Sequence, residues 1–336
     1  MRQWVDNHVR LDCQPVAGEV RMNVGIPGED REPAAPRRHG AGHVAKWLLA
    51  ALGAALAYLA AQVAALVAIE LALPAWDADG LVVLATAASL ALAALWWRRL
   101  RPEARLRREV ACPSRPERRV LLAGVLLVLG IALQVTLSIV LTMVLPLFPD
   151  VMEFYLELME LAGVSGQLDL VTFVDLAVLA PAAEELICRG VILEFCLRAT
   201  CPEVAAVGRL EGEKGEVARA AVPTARFWAA NVAQALVFAL MHLNIVQGAY
   251  AFALGLLLGW LVRRTGRLRY AALLHMAVNG ASVLMDVLDP LLGDVLVPTL
   301  VVGGVVTVAL VWAVARLTAE PPADADADAD TDTDTL

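Results

Sequence analysis

The sequence predicts an all-α membrane protein, a polytopic bundle of about eight transmembrane helices with both termini cytoplasmic. Three observations predict it. Hydrophobic residues make up 59% of the 336 positions and charged residues only 18%, with a mean hydropathy of +0.66, a balance too apolar for an ordinary soluble domain. The apolar residues fall in runs of about 20, the length that crosses a bilayer. The sign of the charge alternates from one loop to the next, as it does where positive loops are held in the cytoplasm.

The apolar runs lie at 45–73, 81–97, 120–147, 173–196, 227–246, 248–262, 270–288 and 293–315. Segment 1–44 is polar, with prolines and charges of both signs, and is read as a cytoplasmic extension. A cleavable signal peptide is not expected, because the run that follows is too long for a signal h-region. Residues 45–147 form the N-terminal transmembrane helices and carry the basic loop 98–119, with Arg98, Arg99, Arg101, Arg105, Arg107, Arg108, Arg115, Arg118 and Arg119. That loop should face the cytoplasm.

Alternation then places 147–172 outside, and it holds Asp150, Glu153, Glu157, Glu160 and Asp169 without Lys or Arg. The loop 197–226 and the turn with Arg263, Arg264, Arg267 and Arg269 come out inside. Within the outer loop, Met152–Leu161 has apolar residues at helical spacing among glutamates, the pattern of an amphipathic surface helix. Gly255 and Gly259 form a GxxxG pair, read as close helix packing within the fold. Residues 317–336 form an acidic Ala-Asp and Thr-Asp repeat with nothing to bury, expected to be disordered. Cys13, Cys112, Cys188, Cys196 and Cys201 show neither a CxxC pair nor metal-ligand spacing.

Ionisable side chains inside hydrocarbon are costly, so those within the runs mark function. On the fourth run Glu185 and Arg189 are four residues apart, share a helix face and can pair. Glu184 is rotated about 100° from Glu185 on an ideal helix and lacks that partner. The expected division is a Glu185–Arg189 clasp and a Glu184 carboxylate facing a wet cavity, suited to act as a general base. A helix-packing ion cluster would use the same three residues. His242 follows Phe238 by four on the fifth run, and His275 and Asn279 are four apart on the seventh. A hydrogen-bonded core histidine and polar interhelical glue are the plainer readings of these two. Their combination on three helices is what points to chemistry, since a base for water and donors for an oxyanion are what hydrolysis inside a bilayer needs.

Glu184-Glu185-x-x-x-Arg189, Phe238-x-x-x-His242 and His275-x-x-x-Asn279, in that order on successive membrane helices, resemble the CPBP family. These are the CAAX-protease and bacteriocin-processing (Abi) intramembrane proteases. The resemblance covers about residues 170–290 and makes 148–316 a CPBP-like catalytic core. It implies that Glu184 and His242 activate the attacking water, that His275 and Asn279 stabilise the oxyanion, and that Glu185 and Arg189 support them. Cys188 departs from the family, where bacterial members commonly carry Phe before the Arg-Gly pair.

Members are described both as metalloproteases and as metal-independent glutamate proteases. The expected cofactor is therefore either none or zinc, held by Glu184, His242 and His275, a carboxylate-plus-two-imidazole set. The expected function is an intramembrane endopeptidase in the cell membrane acting on a peptide or membrane-protein substrate, with membrane lipids as its other partners and no nucleic acid. A proton-coupled transporter using the buried Glu and His as a relay is the alternative, although no inverted repeat or paired broken helices accompany them.

Overall fold

The structure, a computed structural model, describes residues 40–106, 113, 115–161, 170–202, 222–292 and 295–319. The acidic tail, nearly all of segment 1–44, and the greater part of the loops around 107–114, 162–169 and 203–221 lie outside the described residues, as do the expectations placed on them. Among the described residues there are nine helices and no strand. They are α1 (Ala41–Ala72), α2 (Ala78–Leu100), α3 (Pro116–Val144), α4 (Pro149–Leu161), α5, α6 (Thr224–Met241), α7 (Ile245–Thr265), α8 (Leu268–Leu292) and α9 (Leu296–Leu317). Helix α5 is continuous through Leu170–Val174, a π-helical stretch Asp175–Leu179, Ala180–Glu185, a second π-helical stretch Leu186–Ile192, and Leu193–Thr200.

Every expected apolar run is helical over most of its length, and α4 covers the expected amphipathic helix Met152–Leu161. Among the described residues α1, α2, α3, α7 and α9 are long and apolar enough to cross a membrane. Helix α5 instead carries Asp175, Glu184, Glu185, Arg189, Glu194 and Arg198. One boundary differs in a way that matters. The fifth run extends to 246 in the sequence, yet α6 ends at Met241 and α7 begins at Ile245. The break has a local cause: Asn244 caps α7, its Oδ1 accepting from the N–H groups of Val246 (2.9 Å) and Gln247 (3.1 Å). Leu243 turns the chain with φ 54°, a left-handed conformation uncommon outside glycine.

Helix α5 is the hub, packing against α1, α2, α6 and α8, while α3 lies between α8 and α9 and α6 pairs with α7. One apolar core joins α1, α5 and α6 through Tyr58, Ile187, Leu193, Phe227 and Phe238. A second joins α3, α7, α8 and α9 through Leu122, Leu126, Leu258 and Leu274. Large apolar side chains on the outer faces of α1, α3 and α9, among them Leu49, Val120, Val305 and Val308, stay exposed, as lipid-facing residues do.

Small residues set the closest approaches. A Cβ on Gly259 would stand 1.8 Å from Asn231 Oδ1, and one on Gly255 would stand 3.0 Å from Ala235 Cβ, so the GxxxG pair is spent on the α6–α7 contact inside the fold. A Cβ on Gly130 would meet Ala277 Cβ at 2.4 Å, bringing α3 onto α8.

Hydrogen bonds gather the basic helix ends on one face. His43 Nε2 lies 3.0 Å from the Arg198 carbonyl. Arg263 Nη2 donates to Thr224 Oγ1 (2.9 Å), and Arg264 Nε donates to Thr318 Oγ1 (3.0 Å). The start of α1 and the end of α9 therefore share this face with the ends of α2, α5 and α7. Arg105 is buried here against Glu194, its backbone N–H reaching Glu194 Oε2 at 3.0 Å and its guanidinium pairing with Oε1. Burial lowers the Arg105 pKa, and the Glu194 carboxylate opposes that shift.

Candidate active site

Pro181 shapes α5 just ahead of the glutamates. It has no N–H and cannot close a helical bond. The π-helical stretch before it directs the Ala180 N–H to the Asp175 carbonyl. The Leu176 carbonyl is then left without a helical donor, since the next residue is the proline. Asn279 Nδ2 on α8 supplies the missing bond at 3.0 Å. Such wide turns inside α-helices are frequent at functional sites.

About one turn past Pro181, Glu185 is 1% exposed and its Oε1 accepts from Arg189 Nη1 at 2.7 Å and from His275 Nδ1 at 2.9 Å. The clasp expected from the spacing is present, and it has a third member, His275, which i,i+4 reasoning could not supply. Glu184 takes no part in the Glu185–Arg189 pair. Its side chain is 25% exposed against 1% for Glu185, and its Oε2 lies 3.7 Å from His275 Nε2. The His275 ring thus bridges the two carboxylates, Nδ1 facing one and Nε2 the other. Because Glu185 only accepts, Nδ1 carries a proton.

Phe238 is the apolar counterpart of this cluster. The Arg189 guanidinium sits 4.2 Å from its ring centroid, the His275 ring lies 5.8 Å away and the His242 ring 4.8 Å, both edge-on. His242 is the C-cap of α6, one residue past the last helical position, and so not within a regular span. Its Nδ1 donates to the Phe238 carbonyl at 2.9 Å, which fixes the proton there and leaves Nε2 as a lone pair. Non-helical backbone at membrane depth is tolerated where it lines a protein or water cavity, which suits a half-buried His242 at this break. The exposed Leu243 and Ile245 beside it present apolar side chains outward.

The four expected catalytic residues are not all joined to one another. Glu184 and His275 face each other. His242 adjoins them through Phe238, and Asn279 is held by the Leu176 carbonyl one turn away. Among the described residues no three His, Cys, Asp or Glu side chains are grouped to hold a metal ion. Glu184, His242 and His275 are not drawn together as one such group.

Two polar features escaped the sequence reading. Asp175, 5% exposed, accepts from Thr86 Oγ1 at 3.3 Å and leaves Oδ1 without a hydrogen-bond partner; an Asp in an apolar run was the available signal. Asn231 and Gln234 are fully buried and bond the Leu256 and Gly255 carbonyls of α7, each at 2.9 Å.

Comparison with known proteins bears on this cluster. Residues 166–281 match the model of a family described as Type II CAAX prenyl endopeptidase Rce1-like. The matched segment spans α5 and reaches past Asn279, and it contains all seven motif residues, in keeping with a CPBP intramembrane protease. No curated protein and no solved structure matches the chain.

Proposed function

We propose that the chain is a multi-pass intramembrane endopeptidase of the cell membrane. It hydrolyses a peptide bond in a membrane-associated peptide or protein by CAAX-type or peptide-maturation processing. The observation that carries the reading is the Glu184–His275–Glu185–Arg189 cluster, a partly exposed carboxylate beside a buried, hydrogen-bonded one, inside the segment that matches a protease family. Residues 148–316 are the catalytic core, residues 45–147 its N-terminal helical flank, and 1–44 and 317–336 polar extensions on the cytoplasmic side.

In this mechanism Glu184 takes a proton from water while the water oxygen bonds to the scissile carbonyl carbon. His242 Nε2, whose lone pair is free, helps to orient that water. The carbonyl oxygen becomes the oxyanion and is met by the second hydrogen of the Asn279 amide and by His275 Nε2–H, a donation that requires a proton on each ring nitrogen, with Nδ1–H staying on Glu185. Collapse breaks the C–N bond, and the departing nitrogen takes the proton from Glu184. Glu185 and Arg189 act through His275, holding its ring in the orientation that faces Glu184. No step of this mechanism is routed through a metal.

The test is cleavage of a fluorogenic membrane peptide by the purified chain and by Glu184→Gln. Loss of cleavage by a factor of about 100 to 10,000 with an unchanged unfolding transition is expected. Cleavage retained by Glu184→Gln would remove the proposed base.

A further inference from the structure

Helices α1 and α2 lie outside the matched segment, yet both pack against α5 where it carries the catalytic cluster. Helix α1 runs antiparallel to α5, and two contacts set the register. His43 Nε2 lies 3.0 Å from the Arg198 carbonyl, and the Trp47 and Phe195 ring centroids are 5.5 Å apart. With each helix rising about 1.5 Å per residue, that register carries Tyr58 to the level of Ala183 and Glu184. Packing agrees. Tyr58 shares one buried cluster with Ala183, Ile187 and Cys188, and the last two follow Glu184 by three and four residues on one side of α5.

The Tyr58 side chain is buried, and its oxygen accepts from Gln62 Nε2 at 3.1 Å, one turn further along α1. The phenol therefore leans from the level of Glu184 towards the start of α5, where Asp175 stands. Its own hydrogen is not used by that bond, and the ionisable groups whose field it meets are Glu184, Cys188 and Asp175. Asp175 is buried as well. Thr86 Oγ1 of α2 donates to its Oδ2 at 3.3 Å, while Oδ1 has no hydrogen-bond partner. A buried carboxylate oxygen of this kind is what ordered water satisfies in folded proteins. A donor on α1 and an acceptor on α5, each buried and each with a bond still to make, thus lie beside the candidate base.

We propose that Tyr58 and Asp175, with Thr86 holding Asp175, bind the water that supplies Glu184. The proposal rests on the endopeptidase reading for the use of that water. Hydrolysis consumes one water for each bond cut, and a site walled by apolar helices is resupplied only along polar groups. Asp175 and Glu184 are nine residues apart, about 13 Å along α5. Steps of about 2.8 Å between hydrogen-bonded oxygens make that the reach of a few waters, with the phenol between them. Tyr58 and Asp175 are positioning residues in this scheme, and proton abstraction stays with Glu184. The N-terminal helices then complete the site as well as flank it.

The experiment exposes the full chain in phosphatidylcholine nanodiscs to short X-ray pulses. Radicals formed from bound water hydroxylate the side chains beside it, and mass spectrometry locates the label. Tyr58 should be labelled although buried, and Phe227, fully buried in the same cluster, should not. In the double variant Thr86→Val, Asp175→Leu the Tyr58 label should fall to the level of Phe227. Both partners of a buried polar pair are removed together, so Tm should hold or rise. For a fluorogenic membrane peptide kcat should nevertheless fall about tenfold at unchanged KM, the worth of one hydrogen bond. Tyr58→Phe keeps the ring and should show the same split.

An unlabelled Tyr58, a label that survives the double variant, or a kcat that falls only as Tm falls would overturn the proposal. The two readings fail separately. An unlabelled Tyr58 in a chain that cleaves the peptide leaves the protease standing without this water site. Labelling that depends on Asp175 in a chain that cleaves nothing keeps the water site and sinks the protease.

Discussion

Removing the cation of the clasp should unfold the protein more than it slows it. Arg189 and Glu185 have side chains 0% and 1% exposed and meet at 2.7 Å. At an effective dielectric of about 20 their attraction is about 6 kcal/mol, much of it spent on desolvating the two charges. Arg189→Gln leaves the desolvation of Glu185 in place and removes the partner, so only His275 Nδ1 remains on that carboxylate. The expected destabilisation is about 3–5 kcal/mol, including the lost cation–π contact with Phe238. Glu184, one quarter exposed, should tolerate Gln within about 0.5 kcal/mol. The double variant Glu185→Gln, Arg189→Gln, which leaves no unpaired charge, should recover at least half of the loss. Helicity followed by circular dichroism through an SDS titration in mixed micelles reads all four proteins. An Arg189→Gln variant within 1 kcal/mol of the parent, or a double variant that shows no recovery, would refute the buried clasp.

Three further outcomes follow from the geometry. Gly259→Ala must displace Asn231, whose Oδ1 the new Cβ would approach to 1.8 Å, so loss of that amide network should cost about 2–3 kcal/mol, whereas Gly304→Ala, with nothing within 4 Å, should be near neutral in the same titration. Asn279→Ala strips the Leu176 carbonyl of its donor and should cost about 1 kcal/mol. Adding Pro181→Ala restores an N–H beside that carbonyl, so stability should return while peptide cleavage does not; recovery of cleavage as well would assign Asn279 to structure alone. Dialysis against a chelator should change cleavage by less than about twofold, because the three candidate ligands are not grouped for a metal. Activity lost on chelation and restored by zinc would overturn the metal-free mechanism.

What local spacing could reach, it reached. Hydropathy located the helices because a bilayer demands long apolar runs whatever the tertiary fold. The pairing of Glu185 with Arg189 and the greater exposure of Glu184 follow from positions on one helix face. The small residues 255 and 259 marked a close contact. What escaped depends on partners remote in sequence. His275 is 90 residues from Glu185 and bonds it directly, and Asn279 is engaged by a backbone carbonyl that is free only because of a proline elsewhere. The end of α6 was missed because Leu243, Ile245 and Val246 keep the hydropathy high through the turn. Window averages register apolarity, and an Asn cap with one left-handed residue changes it little.

The interruptions of α5 explain why its polar residues serve different neighbours. A π-helical turn delays the rotation of the chain by about one residue, some 100°, relative to an unbroken α-helix. Two such stretches flank the short α-helical segment Ala180–Glu185. Residues before, within and after it therefore face directions that a constant period does not give. Asp175 meets Thr86 of α2, Glu184 and Glu185 meet His275 of α8, and Glu194 meets Arg105 in the segment after α2. A uniform helix would carry these carboxylates to other neighbours. The widened turns let one helix hold an ion clasp, a partly exposed carboxylate and an anchored basic loop, and Pro181, with no N–H to close a helical bond, stands just after the first of them.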